Sequence, residues 1–286
     1  MKVMLVINPM SGRHLAPRVQ GLAEERARSH GAELEVRTVQ GPGDGTRFAQ
    51  EAVSRGFDRV ISAGGDGTLN AVACGLVGTR VPVAVIGLGS GNGYVRSLEL
   101  PRDPQRAMEL ALTGEARPVD VCYLNDRLFV GTAGIGFDAR VAAAFERSSR
   151  GAWNYARIIL REVFSAQPMR VVVKANHETI EEQVLMLVFA NSREFGNGAL
   201  ISPGSRVDDG MAELRLVRKP PFPALLKAFF QLYAGSVDRS PYLRSIPARE
   251  AMVHQAGVLA HLDGESVEVG HELRFRLEPK RLWVVR

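Results

Sequence analysis

The chain has 286 residues, 45% of them hydrophobic and 23% charged, which is typical of a soluble globular protein with one large or two ordinary domains. No apolar stretch approaches the roughly 20 residues of a membrane span. The net charge of +5 favours anionic partners such as nucleotides or acidic lipid surfaces. We expect no nucleic-acid partner, because no helix-turn-helix, zinc-finger or aromatic RNA-binding signature accompanies the charge.

The chain up to about residue 115 alternates apolar runs with helical patterns, which predicts a parallel sheet covered by helices. The opening apolar run ends at Asn8-Pro9 without a cleavage site, so we interpret it as a buried strand rather than a secretion signal. Thr46 is the predicted cap of a helix that ends near Arg55. The predicted strands are 3–7, 33–39, 59–62 and 83–86, and further helices are predicted over 15–28, after the third strand, and over 104–112.

Turns rich in glycine, serine and asparagine follow the first, third and fourth of these strands. The most informative segment is Ser62-Ala63-Gly64-Gly65-Asp66-Gly67-Thr68-Leu69-Asn70. Its glycines let the backbone approach a ligand and permit positive φ, and a helix that begins here would attract an anion. A carboxylate such as Asp66 beside polyphosphate makes sense when a divalent cation lies between them. The segment therefore predicts phosphate binding, although Gly-Gly-Asp-Gly is also an ordinary turn sequence.

Two familiar nucleotide-binding classes are disfavoured, because neither a Walker A pattern nor a Gly-x-Gly-x-x-Gly fingerprint is present. The convergence of the three turns is the stronger argument for a ligand site. Open α/β sheets bind ligands at the carboxyl ends of their strands, and all three turns are predicted to leave such ends.

From about residue 118 the pattern changes to short strands separated by turn signals, which predicts an antiparallel sandwich. A hairpin over 121–130 turns at Asn125-Asp126, and helices are predicted over 137–146 and 153–165. The later predicted strands are 171–174, 184–190, 212–217, 258–262, 273–277 and 282–285. We therefore expect two domains, 1–120 and 121–286, and leave open whether the last few residues return to the first.

Cys74 and Cys122 are far apart and lack metal-ligand spacing, so we expect two buried thiols in a reducing cytoplasm rather than a disulfide. The segment 224–233 is a predicted helix whose apolar residues nearly encircle it. Packing on the sandwich is the favoured explanation, and docking to a membrane is the alternative. Histidines such as His254, His261 and His271 show no ligand spacing, and we expect them to be structural or at the surface.

Seven motifs run in order from residue 8 to residue 265, and together they are specific although each alone is weak. They are Asn8-Pro9-Met10-Ser11-Gly12, Gly64-Gly65-Asp66-Gly67-Thr68-Leu69-Asn70, Gly89-Ser90-Gly91-Asn92, Gly134-Ile135-Gly136-Phe137-Asp138, Ile201-Ser202-Pro203-Gly204, Val207-Asp208-Asp209-Gly210-Met211 and Leu262-Asp263-Gly264-Glu265. The set resembles the diacylglycerol kinase catalytic family, which includes bacterial soluble lipid kinases and eukaryotic sphingosine and ceramide kinases.

The resemblance implies an N-terminal three-layer α/β domain like that of NAD kinases and phosphofructokinases, and a C-terminal antiparallel β-sandwich for the lipid substrate. It implies ATP-dependent, Mg²⁺-assisted phosphorylation of a lipid hydroxyl by a cytoplasmic protein of lipid metabolism that touches the membrane peripherally during turnover. Diacylglycerol, a sphingoid base or a similar lipid stays open as the acceptor, and a homodimer stays open as well.

The resemblance also implies roles for individual residues. The nucleotide would be lined by Asn8, Pro9, Ser11, Gly12, Thr38, Gly64, Gly65, Asp66, Gly67, Thr68, Asn70, Ser90 and Asn92. Asp66 would help to hold the catalytic Mg²⁺, and Asp263 or Glu265 would activate the hydroxyl, with Glu265 our first choice as the base. Arg206, Asp209 and Met211 match a structural Mg²⁺ site of relatives, formed by the Asp209 carboxylate and by backbone carbonyls at the other two positions.

Two positions depart from the family pattern: relatives commonly have glutamate at Ala71 and aspartate at Gly93. These departures prompt one alternative, a nucleotide-binding regulator that has lost catalysis. NAD kinase is the other alternative, since it shares Gly-Gly-Asp-Gly and the two-domain plan. Activity is favoured by the retained acids Asp66, Asp120, Asp263 and Glu265, and the Asp-Gly-Glu and Asp-Asp-Gly motifs favour a lipid kinase.

Overall fold

The computed structural model describes residues 1–12, 15–89, 91–146 and 166–286. The helix predicted over 153–165 and the predicted nucleotide contact Ser90 lie outside the described residues. The chain divides into two compact units: unit 1 comprises Met1–Asp120 with Pro279–Arg286, and unit 2 comprises Val121–Glu278. None of the helices in the described ranges is long and apolar enough to cross a membrane.

Unit 1 contains a parallel sheet with helices packed on it, which confirms the predicted class. Its strands are β1 (Lys2–Ile7), β2 (Glu33–Thr38), β3 (Arg59–Gly64) and β4 (Val83–Gly87), and its helices are α1 (Leu15–Ser29), α2 (Asp44–Ser54), α3 (Asp66–Leu76), α4 (Gly93–Ser97) and α5 (Pro104–Thr113). The spatial order is β2-β1-β3-β4, and every neighbouring pair is parallel. The carboxyl ends of the four strands therefore share one edge.

Small residues let helices α2 and α3 approach closely. A Cβ added to Gly45 would lie 2.7 Å from the Cβ of Ala71, and the Thr46 hydroxyl donates to the Ala71 carbonyl at 2.8 Å. The predicted cap at Thr46 is therefore wrong, because this side chain joins two helices instead. Helix α2 begins two residues earlier, after Gly43 in the left-handed conformation.

Unit 2 is an antiparallel β-sandwich, as predicted. One sheet has the order β12-β11-β10-β7-β14-β15, and the other contains β5, β6, β8, β9, β13 and the first half of β16. The bounds are β5 (Ala116–Leu124), β6 (Arg127–Phe129), β7 (Thr132–Gly136), α6 (Phe137–Glu146), β8 (Met169–Ala175), β9 (Glu178–Val184), β10 (Met186–Ala190), β11 (Ala212–Val217), α7 (Phe222–Tyr233), β12 (Leu243–Ala248), β13 (Glu250–Gln255), β14 (Leu259–Leu262), β15 (Glu265–Glu268) and β16 (Glu272–Val285). Stacked Phe189 and Phe275, with ring centroids 5.2 Å apart, lie in its core.

The last strand differs from the prediction of two separate strands. β16 runs without a break from unit 2 into unit 1, where Val284 pairs with Val83 of β4. Lys280 has φ +55 within this strand, and its N–H donates to the buried Asp120 carboxylate at 2.8 Å. Asp120 therefore holds the strand where its backbone departs from extended geometry.

Neither Cys74 nor Cys122 forms a disulfide, as predicted. Cys122 is buried in β5, whereas Cys74 in α3 is half-buried, so the expectation of two buried thiols holds for one of them.

Candidate functional site

Three turns of unit 1 meet at the carboxyl edge of its parallel sheet, as their positions after β1, β3 and β4 predict. The side-chain amide of Asn8 donates to the Thr68 hydroxyl at 3.2 Å, which joins the first turn to the start of α3. A Cβ on Gly12, which has φ +75, would lie 2.8 Å from the Leu88 carbonyl oxygen, so the first turn also touches the third. Ser11, a predicted nucleotide contact in the first turn, is buried and donates its N–H to the Asn8 carbonyl.

Close approach, and not positive φ, requires the glycines at the end of β3 and after β4. A Cβ on Gly64 would lie 2.3 Å from the Thr68 hydroxyl oxygen, and a Cβ on Gly89 would lie 2.9 Å from the Cα of Gly65. Gly65 has φ −93, an extended conformation that other residues adopt. The turn is also shorter than the sequence indicates, because β3 continues to Gly64 and α3 already begins at Asp66.

Asp66 connects the second turn to the third. One carboxylate oxygen accepts the N–H of Gly93 at 3.1 Å, and the other accepts the N–H of Tyr94 at 3.2 Å. The same residue opens the eleven-residue helix α3, whose N-terminus carries the positive end of the helix dipole. Asp66 therefore fixes the geometry of the place where the helix can attract a phosphate group.

The described residues offer no protein cage for a metal ion, since no three His, Cys, Asp or Glu side chains among them lie close enough to hold one. A lone carboxylate is nevertheless what nucleotide-bound Mg²⁺ requires. That ion keeps water and phosphate oxygens as most of its ligands and takes one or two carboxylates from the protein. The donor set around Asp66 thus fits Mg²⁺ that arrives with a polyphosphate.

The other predicted nucleotide contacts of unit 1 lie around this edge. Thr38 is exposed at the end of β2, in register with Ile7, the residue before Asn8. The Asn92 side chain donates to the Gly89 carbonyl at 2.8 Å from a left-handed backbone, which holds the third turn in shape. Pro9 is exposed, whereas Gly67 and Asn70 are half-buried within α3.

The loop after Thr38 is fixed by a carboxylate. Asp44 bonds to the Arg47 guanidinium and accepts the amides of Gln40 and Gly41. The Arg47 hydrogen bond, followed by that from Gln40, holds the pKa of Asp44 below its usual range. An ionised Asp44 therefore keeps this loop folded next to the edge where the turns meet.

Asp263 and Glu265 of unit 2 have different surroundings although they are two residues apart. Asp263 and Gly264, with φ of +48 and +88, form the two-residue turn of the β14–β15 hairpin. The Asp263 carboxylate accepts three backbone N–H groups, those of Val130 (2.9 Å), Gly131 (2.7 Å) and Thr132 (3.1 Å). Asp263 thereby anchors the hairpin turn to the segment before β7.

Glu265 is exposed at the first position of β15, paired with Leu262 across the hairpin. An exposed carboxylate can reach a hydroxyl group without breaking the backbone hydrogen bonds that hold Asp263. The geometry therefore favours Glu265 over Asp263 as a proton acceptor.

Asp138 and His261 form a buried contact beside this hairpin that the sequence did not predict. His261 Nε2 lies 3.2 Å from the Asp138 carboxylate, and the side chains are only 4% and 9% exposed. His261 Nδ1 is buried with no hydrogen-bond partner in the described structure. The sequence offers one indication of this pair, which is that Asp138 is the last residue of one motif and His261 directly precedes another. The expectation of a structural histidine is compatible with its burial.

A buried asparagine also supports the Asp263 anchor. The Asn191 amide donates to the Val130 carbonyl at 2.8 Å, and the Asn191 and Ser192 N–H groups both donate to the Gly131 carbonyl. The segment 130–132 is thus held by side-chain and backbone groups on both sides. No motif in the sequence pointed to Asn191 or Ser192.

The predicted structural Mg²⁺ residues lie within one turn before β11. The exposed Asp209 carboxylate accepts the N–H of Met211 at 3.0 Å, and the Arg206 guanidinium lies 3.2 Å from Asp208. Arg249 donates to the Gly210 carbonyl at 2.7 Å. The turn offers hard oxygen donors of the type Mg²⁺ binds, but a cation there must compete with two guanidinium groups. This assignment stays a prediction.

Comparison with known proteins agrees with both halves of the fold. The profile of the diacylglycerol kinase catalytic domain matches residues 2–124, and that of the YegS C-terminal NAD kinase beta sandwich-like domain matches residues 131–286. A Pseudomonas aeruginosa (strain UCBPP-PA14) protein named "Probable lipid kinase YegS-like" is 31% identical over 293 residues, which cover 99% of this chain and 93% of the relative. A Klebsiella pneumoniae (strain 342) protein of the same name is 27% identical over 261 residues, covering 89% of this chain and 86% of the relative.

A solved structure shares the fold across both units. The crystal structure of a diacylglycerol kinase from Bacillus anthracis str. Sterne gives a TM-score of 0.74 and covers 99% of this chain and 96% of that chain. Its sequence identity is 19%, so this similarity concerns the fold.

Proposed function

Because this chain belongs to the family of YegS-like lipid kinases with a diacylglycerol kinase catalytic domain, we propose that it transfers the γ-phosphoryl group of ATP to a hydroxyl group of a membrane lipid. The observation that carries this proposal is the meeting of three turns at one sheet edge, where Asn8 joins the first turn to the second and Asp66 joins the second to the third. Phosphoryl transfer depends mainly on positioning and charge stabilisation, which such backbone-rich turns provide.

The residues of unit 1 would bind and orient the nucleotide. The N-terminus of α3 attracts the phosphates. Gly64 and Gly89 let the turns around it pack tightly, since a Cβ on Gly64 would lie 2.3 Å from the Thr68 hydroxyl oxygen and a Cβ on Gly89 would lie 2.9 Å from the Cα of Gly65. Mg²⁺, when bound with the nucleotide, would neutralise phosphate charge and would be held from the protein side by Asp66. Asn8 and Asn92 keep the flanking turns in place.

The residues of unit 2 would activate the acceptor. In the proposed reaction the lipid oxygen forms a bond to the γ-phosphorus, the bond from that phosphorus to the bridging oxygen of ADP breaks, and Glu265 takes the hydroxyl proton. General-base assistance of this kind contributes about 10²–10⁴-fold. Asp263 acts as a positioning residue, since it anchors the turn that presents Glu265.

The test is a transfer assay with labelled ATP, Mg²⁺ and mixed micelles that contain diacylglycerol or a sphingoid base, with NAD as a separate acceptor. We expect a labelled lipid with the wild-type protein and none with Asp66→Ala. Asp58→Ala is the matched control, because this exposed aspartate precedes the opposite end of β3. Labelled NADP, or nucleotide binding without any labelled product, would refute the lipid kinase and support a NAD kinase or a non-catalytic regulator.

A further inference from the structure

Helix α7 presents an apolar face to solvent. Phe222, Leu226 and Phe230 are 70%, 65% and 63% exposed, and Phe229 and Tyr233 are exposed as well. At 3.6 residues per turn, these five positions fall within about 100° of the helix circumference. We call this set the α7 apolar face. It is too large and too aromatic to be explained as scattered surface residues.

The opposite side of α7 makes the contact with the sandwich that the sequence favoured. Leu232 is half-buried and packs against the cluster of Val188, Ala190 and Ile201, yet no residue of the helix is buried in the described structure. The expectation of a packed helix is therefore only half correct. α7 lies on the sandwich by one side and leaves its aromatic side uncovered by the described residues.

The sequence that contains α7 is free of acidic residues, with no aspartate or glutamate from residue 214 to residue 237. Of the cations in this stretch, Arg218 lies 3.6 Å from the Glu182 carboxylate, and Lys219 donates to the Ala166 carbonyl at 2.7 Å. Lys227 is exposed at the border of the α7 apolar face. An apolar face with an exposed lysine at its border and no acidic residue in its sequence fits the surface of a bilayer of acidic lipids, whose interior is apolar and whose headgroups are anionic.

We infer that the α7 apolar face docks the protein on the surface of an anionic lipid bilayer. This inference rests on the proposed function, since a kinase for a membrane lipid must reach its acceptor at the bilayer. A second copy of the chain fits less well as the occupant. A two-fold contact through the same face would bring the two exposed Lys227 side chains together.

The test is binding of the full chain to vesicles of phosphatidylcholine alone and of an equimolar phosphatidylcholine–phosphatidylglycerol mixture, measured by co-sedimentation. Leu226→Glu combined with Phe230→Glu should weaken binding by about tenfold or more per substitution. Lys227→Gln should weaken it about fivefold on the anionic vesicles and little on neutral ones. Met252→Glu, at a 46% exposed apolar residue of β13, is the matched control and should bind like the wild type.

Hydrogen exchange of the wild-type protein provides a test that needs no variant, and amides of residues 222–233 should exchange more slowly when anionic vesicles are added. Absence of vesicle binding, equal loss in the Met252→Glu control, or unchanged exchange in 222–233 would overturn the inference. A wild-type dimer that the double variant dissociates would assign the face to a second copy and also overturn it.

The docking inference and the proposed function fail in different ways. A protein that phosphorylates monodisperse short-chain lipid but does not bind vesicles refutes docking and leaves the kinase intact. Vesicle binding through α7 without phosphorylation of any lipid refutes the kinase and leaves docking intact. In the double variant, the rate on monodisperse lipid should match that of the wild type, because α7 contains none of the proposed nucleotide or base residues.

Discussion

Replacing Asp263 with asparagine should lower stability far more than it lowers activity, and replacing Glu265 with glutamine should do the reverse. The Asp263 carboxylate accepts three backbone N–H groups. An asparagine oxygen can keep the two from Gly131 and Thr132, but its amide group then faces the N–H of Val130. Two donors point at each other, and the remaining bonds lose their charged acceptor.

The free-energy cost follows from these bonds. A hydrogen bond to a charged group contributes about 1.5–3 kcal/mol and a neutral one about 0.5–1.5 kcal/mol. One lost bond and two weakened bonds at this half-buried position amount to about 3 kcal/mol. For a unit of this size, that corresponds to roughly 10 °C in melting temperature. Glu265→Gln, at an exposed position, should change the unfolding free energy by less than about 0.5 kcal/mol.

The assay combines thermal unfolding with the lipid transfer rate, measured well below the melting temperature of each variant. We expect Glu265→Gln to have the melting temperature of the wild type and a transfer rate about 10²–10⁴-fold lower. Asp263→Asn should have a lower melting temperature than the wild type. Its transfer rate should stay within about tenfold of the wild-type rate, because the proposed proton acceptor is Glu265 and not Asp263. Wild-type turnover in Glu265→Gln, or wild-type melting in Asp263→Asn, would refute this division of roles.

Three further predictions concern other parts of the chain. Gly64→Ala should lower the free energy of unfolding in urea by about 1–3 kcal/mol, because the new Cβ would clash with Thr68. Gly21→Ala, in open space on α1, should be neutral or stabilising, and an equal loss of stability in both variants would contradict the packing argument. Mg²⁺ at ten times its dissociation constant should raise the melting temperature of the wild-type protein by about 3 °C. A similar rise in the Asp209→Ala variant would exclude the predicted structural Mg²⁺ site at Asp209. Because the pKa of Asp44 is lower in the folded protein, its ionised carboxylate stabilises the fold above its unfolded pKa, and this stability is lost as the pH falls through its folded pKa. Asp44→Asn should therefore make the free energy of unfolding depend less steeply on pH on the acid side, and an unchanged slope would contradict this role of Asp44.

The buried strands could be predicted from the sequence because burial on both faces demands continuous apolar runs. β1 is buried at five of its six positions and reads as such a run. Two edge strands of unit 2, β9 and β12, were missed for the opposite reason. β9 buries only Ile180 and Val184 among charged residues, and β12 contains Pro247, which an edge strand tolerates because one side needs no ladder hydrogen bonds.

The candidate site shows the same limit. Turn composition predicted where Asp66 and the Asp263-Gly264 hairpin turn would lie, because local backbone preferences decide this. Their partners could not be predicted, since the N–H groups of Gly93 and Val130 reach them only through tertiary pairing. The Asp138–His261 contact depends on β14 pairing with β7, which no local pattern in either segment reveals.

The course of β16 has a consequence for biosynthesis. Residues 279–286 complete unit 1: Val284 pairs with β4, Val285 lies in the unit 1 core, and the Arg286 N–H donates to Glu115. The ribosome makes these residues after the whole of unit 2. At roughly 5–20 residues per second, the delay is on the order of 10 to 30 s. During that time β4 lacks its last neighbour, so the nascent nucleotide-binding unit exposes a strand edge while the sandwich is being made.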